Sequence, residues 1–209
     1  MSDDRGMDDA AVPFTLRSAA GLPADPKPLS STVLVIIDAQ LEYTTGRLPL
    51  VGVDASVDVI GGLLAAARSA GSPVVHVLHE GRPGGLFDPA AGGMPIAAVA
   101  PGDGEIVVRK TLPNAFAATD LDRVLADIGV KALTIVGFMT HMCVSSTARS
   151  ALDHGCDVTV VGDACATRDL PGPGGSAPIE ADVVHRVALA ELADRFATVA
   201  SSAQLTPVD

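Results

Sequence analysis

The sequence predicts a three-layer α/β/α fold, Rossmann-like, on a mostly parallel six-stranded sheet. Three observations predict it. Six short runs rich in Val and Ile recur along the 209 residues. Each run is apolar on both faces, as parallel strands buried between helical layers are. Helix-like stretches separate the runs, which is the alternation of a single α/β domain.

Taken in order, the strand candidates are "TVLVIID" (Thr32–Asp38), "PVVHVLH" (Pro73–His79), "EIVVRK" (Glu105–Lys110), "ALTIVG" (Ala132–Gly137), "DVTVVG" (Asp157–Gly162) and "FATVAS" (Phe196–Ser201). Between the first two, "DASVDVIGGLLAAARSAG" places Val57, Ile60, Leu64 and Ala67 at helical spacing, with Gly71 to close the helix. "TDLDRVLADIG" opens on Thr119 or Asp120 and ends at Gly129. "ADVVHRVALAELADRF" is a third helix, with Glu191 and Arg195 spaced to pair. Residues 1–30 read as a loose N-terminal arm, and residues 31–209 as the domain. Two stretches break the alternation. Glu80–Gly104 is Gly- and Pro-rich and too long for a simple connection, which marks it as a loop that shapes specificity. In Arg168–Pro178, Gly172, Gly174 and Ala177 fall at a relaxed dinucleotide-fingerprint spacing. Pro173 and Pro178 oppose a helix start there and no strand directly precedes it, so it reads as a loop.

Composition excludes several function classes. A net charge of -11 opposes binding a nucleic-acid backbone. One Tyr, five Phe and no Trp leave little to stack bases on. No run of about 18 apolar residues could span a bilayer, and the acidic start "MSDDRGMDDAAVP" is unlike a signal peptide. The expectation is a cytoplasmic protein without membrane or nucleic-acid partners. Three cysteines, without an export signal, do not suggest a disulfide framework.

Ligands of open α/β sheets sit outside the carboxyl ends of the strands. Those ends carry Asp38, His79, Lys110 and, just beyond "LTIVG", Cys143. A nucleophile, a proton carrier and a cation form a complete set for acyl chemistry. A helix beginning near Met142 would put Cys143 in its first turn, where the helix dipole favours a thiolate by about 0.3–1 kcal/mol. Cys156 and Cys165 read as structural.

The strand end "VIIDAQ", the lysine of "VVRKTLPNAF" and "GFMTHMCVSSTARSALDHGCDVTVVGDACATRD" resemble the isochorismatase-like cysteine hydrolases. Nicotinamidases, N-carbamoylsarcosine amidases and streptothricin hydrolases belong to that family. The resemblance runs from Thr32 to Phe196. It implies Cys143 as nucleophile, Lys110 as cation and Asp38 as proton carrier. It also implies a cis peptide at Phe138–Met139 and an oxyanion hole from the Met139 and Cys143 amides. The activity implied is cleavage of a C–N bond in a small amide, ureido or lactam compound through a thioester. Gln40, Tyr43, His79, Phe87, Phe116 and His141 fall where pocket walls belong. Assembly into a homodimer or homotetramer is implied as well.

Nicotinamidases of the family bind a metal through an Asp and several His near the first two strands. Here no Asp-x-His element follows Asp38, and His76 and His79 lie three apart on one strand, facing opposite ways. The expectation is therefore no metal and no other cofactor. A nicotinamidase with an unusual metal site, a non-catalytic member of the fold and a thiol redox sensor remain alternatives at this stage.

Overall fold

A computed structural model describes residues 13–205. Residues 1–12 of the N-terminal arm therefore lie outside the described residues. The rest of it includes a four-residue helix, α1 (Leu16–Ala19), capped by the Thr15 hydroxyl. Arg17 ties it to the domain through Nη2, which donates to Thr198 Oγ1 at 2.8 Å.

All six expected strands form: β1 (Val33–Ile37), β2 (Val74–His79), β3 (Ile106–Lys110), β4 (Ala132–Phe138), β5 (Asp157–Ala166) and β6 (Thr198–Ala200). They make one sheet in the order β3-β2-β1-β4-β5-β6, and every neighbouring pair is parallel. The sheet is thus wholly rather than mostly parallel. β1 and β4 are apolar on both faces because helices or loops cover both.

Two cores result, one on each side of the sheet. On one face α2 (Val53–Ser69) buries Val57, Ile60, Leu63, Leu64 and Ala67 against Leu34, Ile36, Val136 and Val161. Each fully buried Leu or Ile contributes about 1.5–3 kcal/mol. On the other face lie α3 (Leu121–Ile128) and α4 (Ser145–Asp153), with Leu121, Leu125, Val144 and Ala148 against Val33, Val35 and Val77. The last helix, α5 (Ala181–Glu191), continues as a wide turn over Leu192–Phe196. Glu191 pairs there with Arg149 at 2.9 Å rather than with Arg195. The Arg149 guanidinium also lies 4.2 Å from the Phe196 ring centroid, so it serves both partners.

The strand order reverses between β1 and β4, which opens a crevice at their carboxyl ends. That crevice depends on one glycine. Gly137 lies opposite Ile37 and adopts φ +112, outside the range of ordinary side chains. A Cβ there would lie 2.0 Å from the Ile37 carbonyl oxygen. Close approach of the two backbones brings the residues following β1 beside those following β4. At the same level β5 carries a register irregularity, after which Gly137 pairs with Cys165 and Phe138 with Ala166.

Gly137→Ala is expected to lower the unfolding free energy by about 3 kcal/mol or more, from steric overlap and an unfavourable φ together. Gly71→Ala, where φ is +67 and the added Cβ meets nothing within 4 Å, should cost only about 1–2 kcal/mol. Denaturant unfolding of both variants checks the ordering.

Candidate active site

Three chain segments meet at the crevice. Asp38 follows β1 with φ +49, a left-handed conformation that Asp tolerates better than most residues. Lys110 ends β3, and Cys143 sits in a wide helical turn, Thr140–Val144, that leads into α4. Lys110 Nζ donates to Asp38 Oδ2 at 2.7 Å and to Cys143 Sγ at 3.3 Å. Both charged side chains have no exposed area, and Cys143 is only 4% exposed. The peptide between Phe138 and Met139 is cis, at the position the resemblance implied.

The electrostatics correct one expectation. Burial pushes the Cys143 thiol up to about 12, and the Asp38 carboxylate pushes the same way. Lys110 opposes both without overcoming them. Burial therefore favours the neutral thiol, and a helix-dipole term below about 1 kcal/mol acts only weakly against it. Burial also raises the Asp38 carboxyl, against the pull of Lys110. A buried carboxyl held by one cation, beside a thiol that burial favours in its neutral form, can serve as a base next to its acid.

The remaining expected site residues divide by what they touch. His79, at the end of β2, places Nδ1 3.3 Å from Lys110 Nζ. Phe87 meets the His79 ring at a tilt, 4.8 Å between ring centroids, and the Tyr43 ring edge to face at 5.2 Å. Tyr43 lies within electrostatic reach of Asp38, Cys143 and Arg168. Gln40 is fully buried and bonds to the His79 backbone and the Gly93 carbonyl, so its amide is taken up in holding two segments together. Phe116 stacks on His154 at the far end of α4, 4.4 Å between ring centroids. His141 turns Nδ1 to Thr167 Oγ1 at 2.6 Å. Cys156 and Cys165 are buried free thiols.

Two groups were not visible from sequence. Glu42 accepts from the Arg47 and Phe87 amides and so fixes the long loop to the segment after β1. Arg168 was read only as the start of a loop. It stands two residues past the Ala166–Phe138 pairing, and its charge is felt at Tyr43 and His141. Applying the strand-end rule to all of "DVTVVGDACATRD" would have found it. Among the described residues, three buried side-chain N or O atoms lack a hydrogen-bond partner: Asp38 Oδ1, His141 Nε2 and Arg168 Nε. All three belong to residues that follow the carboxyl ends of β1, β4 and β5.

The residues do not fit a metal. His76 bonds to Glu105 at 2.8 Å while His79 turns to Lys110. Among the described residues, no three His, Cys, Asp or Glu side chains gather as ligands. No helix among them is long and apolar enough to cross a membrane.

The chain is similar to several known proteins. The isochorismatase domain family matches residues 32–204. The chain is 42% identical over 193 residues to a secreted isochorismatase effector, Isc1, of Verticillium dahliae, covering 90% of this chain and 97% of that one. It is 37% identical over 172 residues to a streptothricin hydrolase of Streptomyces noursei, at 81% and 68% coverage. A maleamate amidohydrolase of Pseudomonas putida is 36% identical over 168 residues, at 72% and 76% coverage. Among solved structures, an isochorismatase from Pseudomonas putida superposes with a TM-score of 0.89 at 44% identity, covering 93% of this chain and all of that one.

Alkylation of Cys143 by iodoacetamide is expected to rise about tenfold per pH unit from pH 7 to 10 without a plateau, as a thiol near 12 requires. A plateau below pH 8 would mean a stabilised thiolate instead.

Proposed function

The chain belongs to the isochorismatase family, and on that premise we propose a cysteine-dependent amidohydrolase that cleaves a C–N bond of a small carboxylate-bearing amide or ureido compound. The observation that carries the reading is the Lys110 ammonium, buried and bonded at once to Asp38 and to Cys143. Asp38 takes the thiol proton as Sγ attacks the carbonyl carbon. The Met139 and Cys143 amides receive the developing oxyanion, a contribution of roughly 3 kcal/mol per donor. Collapse breaks the C–N bond, and the leaving amine takes the proton from Asp38. Water then gives a proton to Asp38 and attacks the thioester, and the proton returns to Sγ. Lys110 keeps the carboxylate oriented throughout.

Arg168 and His141 supply the specificity in this proposal. An arginine with an unpartnered buried Nε suits a substrate carboxylate. The maleamate amidohydrolase relative is named for a substrate that combines an amide with a carboxylate. A metal-assisted nicotinamidase reading finds no ligand set among the described residues. A cytoplasmic setting, which would keep the three thiols reduced, and a homodimer or homotetramer belong to the same proposal. The exposed Val183 and Val187 on α5 support the latter.

Ammonia release from maleamate, run with and without a chelator beside the neutral amide crotonamide, tests the reading. Wild type should turn over maleamate equally in both, while Cys143→Ala should lose at least about a thousandfold. Arg168→Gln should raise KM for maleamate by about 10–100-fold, the worth of a charged hydrogen bond. Turnover lost to the chelator, or kept by Cys143→Ala, would refute it. The acid limb of kcat/KM is expected above pH 3.8, because activity needs ionised Asp38 and burial raises that carboxyl. An acid limb at or below the ordinary carboxylate range would count against Asp38 as the base.

A further inference from the structure

We propose that His79 is a positioning residue for this reaction. Its unprotonated Nδ1 accepts the third hydrogen of the Lys110 ammonium, so that the other two stay aimed at Asp38 and Cys143. The inference rests on the cysteine-hydrolase reading and concerns how its cation is held.

The sheet order creates the need. β3 is an edge strand, two strands away from β1, so Lys110 must reach across about 9–10 Å of sheet to meet Asp38. The strand it crosses is β2, and the residue in register with Lys110 there is His79. An ammonium has three N–H bonds and no acceptor. The contacts of Nζ are three: Asp38 Oδ2 at 2.7 Å, Cys143 Sγ at 3.3 Å and His79 Nδ1 at 3.3 Å. Without the imidazole, one hydrogen of a fully buried cation would have no partner, and Nζ could rotate away from the thiol.

Nδ1 can accept only if the ring is neutral and carries its hydrogen on Nε2. The surroundings favour that form. Partial burial and the adjacent Lys110 charge both disfavour an imidazolium, with Asp38 acting more weakly in the other direction. The other neighbours, Gln40 and Phe87, are uncharged. Placement of the ring is unusually well fixed. Gln40 accepts from the His79 amide at 2.8 Å and donates to the His79 carbonyl at 2.8 Å. Phe87, itself anchored by Glu42, covers the ring. Nε2 has no protein partner among the described residues, which leaves its hydrogen free to meet the reacting compound.

Nitrogen-15 spectra of histidine-labelled wild-type protein, assigned with His79→Asn, read the tautomer directly. A neutral ring protonated at Nε2 at pH 7 is expected, and an imidazolium or an Nδ1-protonated ring would overturn the proposal. The second arm compares His79→Phe, which has no acceptor, with His79→Asn, whose carboxamide oxygen can stand near the Nδ1 position. For an amide that wild type turns over, His79→Phe should lower kcat about 30-fold with KM changed less than about threefold. It should also slow Cys143 alkylation by iodoacetamide, and His79→Asn should recover most of both losses. A His79→Phe protein that matches wild type, or a His79→Asn protein no better than His79→Phe, would refute it. The spectra and the alkylation need no substrate, so they decide the role of His79 even if the proposed reaction fails, and the spectra stand if His79→Phe does not fold.

Discussion

The buried ion pair between Lys110 and Asp38 is the constraint on which the site depends. Two opposite charges without exposed area carry a desolvation penalty of several kcal/mol each, which their attraction offsets only with good geometry and further hydrogen bonds. Such a pair adds little net stability. What it does here is hold a carboxyl in a dry place, with its second oxygen unpartnered, beside a buried thiol. In the reaction proposed, three groups and one movable proton form a unit, in which the thiol becomes nucleophilic only as the proton leaves.

The sheet supplies the geometry for that pair. Reversal of strand order between β1 and β4 opens the crevice, and Gly137 closes the distance between the backbones on its two sides. Lys110 comes from the edge strand, so its side chain must pass over β2. That passage explains why the fourth polar member of the cluster is the last residue of β2. The long loop then packs over the cluster, fastened at Gly93 by Gln40 and at Phe87 by Glu42. Both clamps follow Asp38 within four residues, so one segment carries Asp38 and anchors the cover.

Much of this was legible in the sequence because buried parallel strands carry a strong local signal. Each strand candidate proved a strand, and the strand-end rule picked out Asp38, Lys110 and Cys143 together. What escaped depends on pairing rather than on local pattern. Gln40 looked like a pocket wall, but its partners lie 39 and 53 residues away, where no spacing rule reaches. Phe116 was drawn to the site by proximity to Lys110 in sequence, yet the chain turns there and stacks it on His154. Arg168 was hidden because the irregularity opposite Gly137 extends β5 four residues beyond its apolar run. The upward push on the Cys143 thiol was not legible because position in a helix was visible while burial beside Asp38 was not.

The most direct test of the account is the location of the proton in the resting protein. Infrared difference spectra of wild type against Cys143→Ser and against Asp38→Asn would read the thiol and the carboxyl separately. The account predicts an S–H band from Cys143 and an ionised carboxylate from Asp38 at pH 7. A Cys143 thiolate beside a protonated Asp38 would contradict it.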